Sequence, residues 1–408
     1  MKSKKKILII IGGGISAYKS LDLIRLFKKN NYDVKVILTS SGKKFVTPLS
    51  LKTIVGSKPF EDIFENDTSG DIDHISLSRW ADIILAVPAT ANFLSRISVG
   101  KADDLASTVL LAANKQIFLV PAMNVRMWLH PATQENFKKL VGFGYNFIGP
   151  EKGEMACGEY GEGKMSSPRQ IYAEIKKFFS EKNIIQKKKL KALVTAGPTR
   201  EYIDPVRYIS NESSGKQGYE IAKALSRAGV KTTLISGPVE LSPVLGIKII
   251  KVISASQMLK EVIKNLPVDI VICAAAVSDY KPKIFNSQKI KKDTNKLQKI
   301  EFEKNTDILE FLGKNNKHRP GLVVGFSAET ENLIKNSKEK LSNKNCDLII
   351  ANDVSKKDIG FNKNFNSVVI LDAKSKKFEI KKSKKSFVAE IIAKKILEKF
   401  LVNDKNPH

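Results

Sequence analysis

Two stretches of the chain place glycine or hydroxyl residues between an apolar segment and an amphipathic one. Residues 12–14, GGG, follow KILIII, and residues 213–216, SSGK, come shortly after KALVTAG. Bare backbone N–H groups at a helix N-terminus attract anions, and serine hydroxyls and a lysine add donors and charge. The chemistry that both turns predict is phosphate binding. A well-capped helix is the alternative interpretation of the second turn.

The first of these turns favours a mononucleotide over NAD. The GGG sequence lacks the GxGxxG spacing, and no acidic residue closes the second apolar segment, VKVILTSSG, to hold a ribose. Thr39 and Ser40 end that segment with hydroxyls, which suit a phosphate or the edge of a flavin. Ordinary capping of a strand end explains the two hydroxyls equally well.

The elements that must position these turns alternate along both halves of the chain. Strand-like segments of the first half are KILIII, VKVILTS, DIILAVP and QIFLVPA, with helices near 15–29, 92–113, 132–142 and 169–180. Those of the second half are KALVTAG, TTLISGP, IKIIKVI, DIVICAAAV, GLVVGFSAE and DLIIAND, with helices near 216–228, 255–265, 306–314, 331–343 and 386–401. This alternation predicts two α/β domains with parallel, doubly wound sheets. Their predicted bounds are 1–182 and 191–408, with a polar linker at 183–190 and a mobile, lysine-rich loop at 281–299.

Length and composition describe a globular protein with two or three domains. The chain has 408 residues and 42% hydrophobic residues, and no apolar run approaches the roughly 18 residues of a membrane span. We therefore expect a cytoplasmic protein that does not interact with membranes. The three cysteines form no CxxC pair, which argues against disulfides and structural zinc. The net charge of +27 comes mainly from dispersed lysines, which favours solvated faces and the attraction of small anions over nucleic-acid binding.

Three further segments of the first half carry a family resemblance. They are DIDHISLSRWADIILAVPATANFLSR (71–96), FLVPAMNVRMW (118–128) and ACGEYGEGKM (156–165). Together they closely resemble the flavin-dependent cysteine decarboxylases, in particular the decarboxylase half of the bacterial bifunctional phosphopantothenoylcysteine decarboxylase/phosphopantothenate–cysteine ligases. The resemblance implies an active-site histidine at His74, a carboxylate-binding Asn124 and a flap cysteine at Cys157. Taken singly, each residue has an ordinary alternative as a surface, capping or loop residue; taken together, they favour the site.

The resemblance also implies the residues that surround an FMN cofactor and the substrate. The implied FMN-binding residues are Gly13, Gly14, Ser16, Thr39, Ser40, Pro88, Ala89 and Thr90. The implied substrate-binding segment includes Met123 and Met127.

Decarboxylation of a cysteinyl group explains why a flavin is needed. Loss of CO₂ leaves a carbanion without an electron sink, and acid–base catalysis alone does not supply one. If FMN first oxidises the thiol-bearing carbon to a thioaldehyde, decarboxylation gives a delocalised enethiolate, to which reduced FMN then returns the hydride. On this hypothesis His74 is the base at the substrate thiol and Asn124 holds the carboxylate. Cys157, on a mobile flap, protonates the enethiolate and helps to exclude water.

The second half resembles the ligase part of the same family. The segments are TAGPTREYIDPVRYISNESSGKQG (195–218), AAAVSDYKP (274–282), KIKK (289–292), NTDIL (305–309) and GFSAET (325–330). The resemblance implies that Lys289 stabilises the α-phosphate of CTP and that Asn211 holds an acyl-cytidylate. It implies substrate-binding roles for Ser213, Ser214, Gly215, Lys216, Cys273, Ala274, Ala275, Asp279, Thr306, Asp307, Ile308, Leu309, Phe326, Lys340 and Lys344.

The resemblance therefore implies two tandem Rossmann-like domains of the α/β class, a flavodoxin-like flavoprotein domain followed by a CTP-binding domain. The expected reactions are CTP- and Mg²⁺-dependent joining of cysteine to 4'-phosphopantothenate, then FMN-dependent decarboxylation of 4'-phosphopantothenoylcysteine to 4'-phosphopantetheine. A homo-oligomer is also expected, whereas the residues implicate no metal ligand. Two alternatives remain open, a flavoprotein reductase with a nucleotide-sensing domain and a nucleic-acid-binding protein. Steady NAD(P)H oxidation would support the first, and steeply salt-dependent binding the second.

Overall fold

The computed structural model describes residues 4–62, 73–291, 300–314, 317–355, 363–373 and 376–403. The chain divides into two compact units, Met1–Ser180 and Glu181–His408. Among the helices of the described ranges, none combines the length and the apolar composition that a bilayer crossing requires.

The first unit is built on a five-stranded parallel sheet with the strand order β2-β1-β3-β4-β5. Its strands are β1 Lys6–Ile11, β2 Asp33–Leu38, β3 Ile83–Ala89, β4 Gln116–Pro121 and β5 Asn146–Phe147, and a separate hairpin contains β6 Glu151–Glu154 and β7 Tyr160–Lys164. Its helices are α1 Lys19–Lys29, α2 Pro48–Val55, α3 Asp73–Trp80, α4 Ala91–Ser98, α5 Leu105–Ala112, α6 Val125–Leu129, α7 Pro131–Gly142 and the first part of α8 Pro168–Lys188, whose residues from Glu181 onward belong to the second unit. Short 3-10 turns cover Ile15–Tyr18 and Gly42–Lys44. This order is the doubly wound, flavodoxin-like one that the sequence predicted.

The central strand β1 shows why apolar runs without alternation form this sheet. Ile7, Ile9 and Ile11 are buried on one face of the sheet, and Leu8 and Ile10 are buried on the other. Successive side chains of a strand point to opposite faces, so a strand covered by helices on both sides must be apolar at every position.

The second unit has an eight-stranded sheet with the order β12-β11-β8-β13-β16-β17-β18-β19. The sheet strands are β8 Lys191–Ala196, β11 Lys231–Ser236, β12 Lys248–Lys251, β13 Ile270–Cys273, β16 Leu322–Glu329, β17 Leu348–Asp353, β18 Phe365–Asp372 and β19 Lys377–Lys384. Two small ribbons pair β9 Arg200–Tyr202 with β10 Tyr208–Ser210 and β14 Tyr280–Pro282 with β15 Phe302–Lys304. The helices are α9 Lys216–Arg227, α10 Ala255–Lys264, α11 Ile308–Lys314, α12 Leu333–Asn343 and α13 Lys385–Asn403. The first six strands in this spatial order, β12, β11, β8, β13, β16 and β17, are parallel. Strands β18 and β19 extend the sheet as an antiparallel hairpin.

The helix predicted over 92–113 is in fact two helices, α4 and α5. The break follows from Asp104, whose carboxylate accepts a hydrogen bond from the Ser107 backbone N–H at 2.8 Å and starts a new helix. The Ser107 side chain completes a capping box with the Asp104 backbone N–H.

The linker predicted at 183–190 is largely helical, because α8 continues to Lys188. Ile185 and Leu190 are 4% and 1% exposed and belong to the core of the second unit. The many polar residues of this segment led to the prediction of a linker, although two of its apolar residues are buried.

The loop predicted at 281–299 is partly ordered and partly outside the described residues. Strand β14 occupies its start, and Ile290 is buried. The Ile290 backbone N–H donates to the Asp204 carboxylate at 3.3 Å, and its carbonyl accepts from Arg207 at 3.3 Å. Residues 292–299 lie outside the described ranges.

Candidate active sites

Three loops of the first unit meet at the carboxyl edge of the sheet. A Cβ atom at Gly12 would lie 2.4 Å from the Pro88 carbonyl oxygen, and one at Gly13 would lie 2.6 Å from the Ser41 Cβ. The loops after β1 and β2 and the end of β3 therefore touch, and the glycines permit that contact. Strand order reverses between β1 and β3, and α/β sheets bind ligands at such a switch point.

The backbone at this edge offers donors to an anion. Gly14 is the N-cap of the 3-10 turn that contains Ser16, and no side chain caps that turn. A Cβ at Gly14 would meet only the Thr90 methyl group within 4 Å, at 3.9 Å. Thr90 itself caps α4, since its hydroxyl accepts from the Phe93 N–H at 3.3 Å. Pro88 and Ala89 end β3 beside this turn, so the predicted phosphate loop has open space next to uncapped N–H groups.

The predicted hydroxyl at Thr39 has a structural role as well. It donates to the Ile11 carbonyl at 2.9 Å and accepts from the Gly42 N–H at 3.1 Å. These bonds fix the loop after β2, which also contains Ser40. Capping, one of the two sequence interpretations, is therefore observed at Thr39.

Asn124 and Cys157 lie next to each other in the structure. Asn124 caps α6, because its side-chain oxygen accepts from the Arg126 N–H at 2.7 Å. Its amide nitrogen lies 3.5 Å from the Cys157 sulfur and donates to the Glu159 carboxylate at 2.7 Å. Glu159 was missed by sequence reasoning, although it stands two residues after the predicted cysteine.

The hairpin of β6 and β7 carries Cys157 in its turn and docks on the segment that contains Asn124. The Met123 N–H donates to the Gly163 carbonyl at 3.0 Å, and a Cβ at Gly163 would lie 2.4 Å from the Met123 carbonyl oxygen. The buried Trp128 ring nitrogen donates to Glu162 at 3.3 Å. Met127 is 49% exposed, whereas Met123 packs partly against the core. The glycines of this flap allow its backbone to lie directly on the Asn124 segment.

His74 lies in the first turn of α3 and is half-buried. Its Nδ1 atom is buried and has no hydrogen-bond partner among the described residues. A buried, unsatisfied ring nitrogen is rare in folded proteins and suits a group whose partner is a ligand.

The second unit contains a cavity of about 400 Å³ at the carboxyl edge of its sheet. Its wall comes from the segments that follow β8 and β13 and from the ends of β16 and β17, with the strand order reversing between β8 and β13. Ten predicted residues line it: Asn211, Ser213, Ser214, Gly215, Lys216, Ala274, Ala275, Asp279, Phe326 and Lys340.

The predicted anion turn begins helix α9 within this cavity. Gly215 is the N-cap and provides no side-chain cap, while its N–H donates to the Ser213 hydroxyl at 3.3 Å. The Lys216 ammonium donates to the Asn364 side chain at 2.8 Å. The side-chain amide nitrogen of Asn211 donates to the Val277 carbonyl at 3.0 Å. This hydrogen bond fixes the orientation of the Asn211 side chain.

Several predicted residues do not line this cavity. Ile308 and Leu309 are 5% and 7% exposed and pack in the core, so only their backbone could reach a ligand. Cys273 also packs against that core, and burial raises the pKa of its thiol. Lys289 is exposed next to the anchored Ile290. Sequence order alone does not show which of these residues face the cavity.

Asp307 and Lys344 belong to a neighbouring ionic cluster. Lys344 contacts Asp307 at 3.1 Å and Glu310 at 2.6 Å, and Lys314 contacts Glu310 at 2.6 Å. Hydrogen bonds from Lys314 and then Lys344 lower the pKa of Glu310 to about 2, and the bond to Glu310 raises that of Lys344. Thr306, Asp307 and Glu310 line a second cavity of about 540 Å³.

Among the residues of the main cavity wall that sequence reasoning missed are three polar ones distant from the predicted motifs. Asn352, the penultimate residue of β17, has a buried side-chain oxygen without a partner among the described residues, and Asn366 lies on β18. Lys385 is the first residue of α13 and is only 7% exposed. No local motif marks these positions, because each is brought to the cavity by the sheet.

No group of three or more metal-binding His, Cys, Asp or Glu side chains occurs within the described ranges. The protein side chains of these ranges therefore do not form a dedicated magnesium cage.

A flavodoxin-like unit with a cysteine flap, followed by a Rossmann-like unit with an anion cavity, defines a two-domain flavoprotein class. Residues 1–180 match the Flavoprotein family, and residues 187–400 match the family described as DNA/pantothenate metabolism flavoprotein C-terminal domain.

The chain belongs to the family of coenzyme A biosynthesis bifunctional proteins, which combine a ligase and a carboxy-lyase. It is 42% identical over 400 residues to the coenzyme A biosynthesis bifunctional protein CoaBC of Haemophilus influenzae, covering 97% of this chain and 98% of that protein. The solved C-terminal domain of a protein of the same name is 38% identical and covers 53% of this chain and 98% of that chain, with a TM-score of 0.44. A PPC decarboxylase mutant complexed with pantothenoylaminoethenethiol is 31% identical and covers 44% of this chain and 100% of that chain, with a TM-score of 0.40.

Proposed function

We propose that the second unit joins cysteine to 4'-phosphopantothenate at the expense of CTP, and that the first unit decarboxylates the product to 4'-phosphopantetheine. The observation that carries this proposal is the contact between Asn124 and Cys157. A carboxylate-binding amide and a proton-donating thiol must act on the same small substrate, so they have to be neighbours. We also propose that both reactions take place in the cytoplasm.

The residues at the carboxyl edge of the first sheet fit an FMN cofactor. The uncapped turn at Gly14 would bind its phosphate, and the loops that contain Thr39, Ser40 and residues 88–90 would border it. When bound, FMN supplies the oxidation and reduction of the thiol-bearing carbon. The protein side chains supply orientation and proton transfer.

In the decarboxylase site, the Asn124 amide binds the substrate carboxylate. Glu159 now accepts from this amide at 2.7 Å, which shows that a carboxylate oxygen can take that position. The substrate carboxylate would displace Glu159. His74 accepts the proton of the substrate thiol on its unsatisfied Nδ1, and Cys157 returns a proton to carbon.

In the ligase site, the carboxylate of 4'-phosphopantothenate attacks the α-phosphate of CTP, pyrophosphate leaves, and the amine of cysteine then attacks the acyl-cytidylate. Lys289 stabilises charge on the α-phosphate, Asp279 and Phe326 contribute to the nucleotide pocket, and Asn211 orients the acyl carbonyl. If Mg²⁺ is supplied with CTP, it would neutralise negative charge on the triphosphate.

The test supplies FMN, CTP, Mg²⁺, 4'-phosphopantothenate and cysteine to the full chain and follows pyrophosphate and CO₂ separately. Both products should appear, and omission of cysteine should abolish CO₂. His74→Asn should abolish CO₂ release and leave pyrophosphate release intact. Steady oxidation of NAD(P)H without either product would contradict the proposal and favour a reductase.

We also propose a homo-oligomer that forms through the first unit. Ile15, Tyr18 and Leu49 are large apolar side chains with exposed fractions of 61%, 53% and 74%. Contiguous exposed apolar patches often mark protein–protein contacts, and we propose that these three side chains belong to one such patch. Leu49→Asp should lower the mass found by sedimentation, whereas Leu245→Asp in the second unit is the control. An unchanged mass for Leu49→Asp would exclude the assigned surface.

A further inference from the structure

Asp204 is a buried carboxylate to which the proposed reactions assign no role. It lies in the connection between β9 and β10, residues 203–207, and its side chain is 0% exposed. One carboxylate oxygen accepts from the backbone N–H groups of Val206 at 2.9 Å and Arg207 at 2.8 Å. The other accepts from the Arg207 guanidinium at 3.1 Å and from the Ile290 backbone N–H at 3.3 Å. Both oxygens are therefore satisfied, and the second one joins the β9–β10 connection to a distant part of the chain.

The donors around Asp204 keep it ionised. Burial raises the pKa of Asp204, but the N–H groups of Val206, Ile290 and Arg207 and the charge of Arg207 lower it below its ordinary value. Removing a carboxylate from water costs free energy, and an apolar residue of similar volume is often at least as stabilising as a buried ion pair. Stability alone is therefore a weak reason for an ionised group at this position, and the segment that it holds supplies a better one.

That segment contains Lys289. Residues 283–291 belong to no helix or strand, so regular structure does not fix their backbone. The Asn286 N–H donates to the Ile203 carbonyl at 3.0 Å, and the Ile290 carbonyl accepts from Arg207 at 3.3 Å. Together with the bond from Ile290 to Asp204, these contacts attach the segment to the β9–β10 connection.

The bond from Ile290 to Asp204 fixes the backbone directly after Lys289. The Ile290 N–H belongs to the peptide group that also contains the Cα and the carbonyl of Lys289, and this group is planar. An acceptor on the N–H therefore sets the orientation of the whole plane. The Ile290 side chain is 6% exposed and anchors one end of the plane, whereas the Lys289 side chain is exposed at the other. Lys289 thus extends into solvent from a fixed base.

The same carboxylate orders the strand that leads to the other predicted ligase residue. Strand β10 begins directly after Arg207 and ends at Ser210, and Asn211 follows it. One oxygen of Asp204 therefore holds the start of the strand that leads to Asn211, and the other holds the segment that carries Lys289.

We propose that Asp204 is a positioning residue for the ligase reaction, which holds the Lys289 segment on the β9–β10 connection so that the lysine ammonium is presented to the α-phosphate. This inference rests on the ligase function and on the role of Lys289 proposed above. A lysine side chain is flexible, and fixing its backbone removes part of that freedom before the reaction. Orientation of this kind lowers the entropic part of the barrier.

The first test follows pyrophosphate release by the full-length protein in quench-flow, with CTP, Mg²⁺ and 4'-phosphopantothenate and without cysteine. Asp204→Asn retains one of the two acceptor oxygens, so its amide nitrogen must face N–H donors. It should lower the rate constant at saturating CTP by about 10- to 100-fold, the loss expected for a misplaced catalytic group. The half-saturating CTP concentration should change by less than about 3-fold, since the lysine acts mainly on charge that develops in the transition state. A change in half-saturation alone would overturn the assignment.

Asp347→Asn is the matched control. Asp347 also accepts from a backbone N–H, that of Val323 at 2.7 Å, and from an arginine, Arg319 at 3.0 Å. It directly precedes β17 and therefore lies at the amino edge of the sheet, opposite the cavity. Both variants should lower the urea midpoint of the second unit, but only Asp204→Asn should slow pyrophosphate release. Equal rates for the two variants would show that Asp204 only stabilises the fold.

The second test combines substitutions to show whether Asp204 acts through Lys289. Lys289→Gln alone should slow pyrophosphate release, and the addition of Asp204→Asn should slow it further by less than about 2-fold, because no lysine remains to be positioned. Effects that multiply would refute the inference. Ile290→Pro removes the same hydrogen bond from the donor side and leaves Asp204 in place, so it should give the same pattern. This variant keeps the test decisive if Asp204→Asn unfolds.

Failure of the inference and failure of the proposed function give different results. A wild-type protein that releases no pyrophosphate from CTP and 4'-phosphopantothenate would remove the ligase function, and the inference with it. An active wild-type protein, with Lys289→Gln slow but Asp204→Asn and Ile290→Pro at the wild-type rate, would remove only the positioning role of Asp204.

Discussion

The strongest test of the domain division is the substitution Ile185→Ala. Ile185 lies in the segment whose polar composition predicts a linker, yet its side chain is 4% exposed and belongs to the core cluster that includes Leu190, Leu225 and Val230. It also packs near Gly229, where an added Cβ would lie 4.0 Å from the Ile185 methyl group. Truncation of a buried isoleucine to alanine costs about 2–5 kcal/mol, because transfer energy is lost and a cavity forms.

The size of the effect can be stated as a shift in urea. A unit of more than 200 residues unfolds with a slope of about 2–3 kcal/mol per molar urea. Ile185→Ala should therefore lower the unfolding midpoint of the second unit by about 1–2 M. Asn183→Ala, at an exposed position of the same helix, should change the free energy of unfolding by less than about 0.5 kcal/mol.

The two units can be followed separately in the intact chain. Both tryptophans, Trp80 and Trp128, lie in the first unit, so tryptophan fluorescence reports its unfolding alone. Far-ultraviolet circular dichroism reports both units. The unfolding transition of the second unit should appear in dichroism and not in fluorescence. Ile185→Ala should shift this transition to a lower urea concentration. If the fluorescence transition shifts instead, Ile185 stabilises the first unit and the division near residue 181 is wrong.

The other predictions concern the two sites and the ionic cluster. Cys157→Ser should still release CO₂ but form little 4'-phosphopantetheine, because a hydroxyl is a weaker acid than a thiol; normal product yield, measured by chromatography, would remove Cys157 from the proton transfer. Lys289→Gln should suppress pyrophosphate release by about 10²- to 10³-fold, since one cation at the α-phosphate is lost. Asn211→Asp should retain a stoichiometric burst of pyrophosphate and accumulate the acyl-cytidylate, and equal loss of the burst in both variants in quench-flow would contradict the separate roles. The pKa of Glu310 is lowered in the folded state, so its stabilising effect is full above its unfolded pKa and is lost as pH falls toward about 2; Glu310→Gln should differ from wild type in urea midpoint at pH 7 and converge with it in acid, whereas a constant difference would show that the charge of Glu310 is not responsible.

The sequence predicts the central parallel strands well because nearly every residue in them is apolar. Strands β1 and β3 are apolar runs of the kind that two covering helix layers require. Strand β19, KFEIKKSK, could not be predicted in this way, since only Ile380 and Ser383 in it are buried. Its lysines resemble a solvated charge run, and its place in the sheet depends on pairing with β18.

The candidate sites show the same limit. The turn at 213–216 is predictable because its glycine, hydroxyls and charge are consecutive in the chain. Glu159 and Lys385 are not, because each reaches its site through tertiary structure. Glu159 depends on the docking of the flap on Asn124, and Lys385 is 169 residues from Lys216 in the sequence.

The antiparallel hairpin of the second unit explains how such a distant lysine reaches the cavity. β17 runs parallel to the preceding strands, so it ends at the carboxyl edge, where Asn352 lines the cavity. β18 is antiparallel to β17 and carries the chain away from that edge, and β19 is antiparallel to β18 and carries it back. The helix that follows therefore begins at the carboxyl edge, with Lys385 as its first residue. If β17 were followed by one antiparallel strand instead of two, α13 would begin at the opposite edge of the sheet. The two-stranded hairpin therefore places the α13 N-terminus at the same edge as the anion turn of α9.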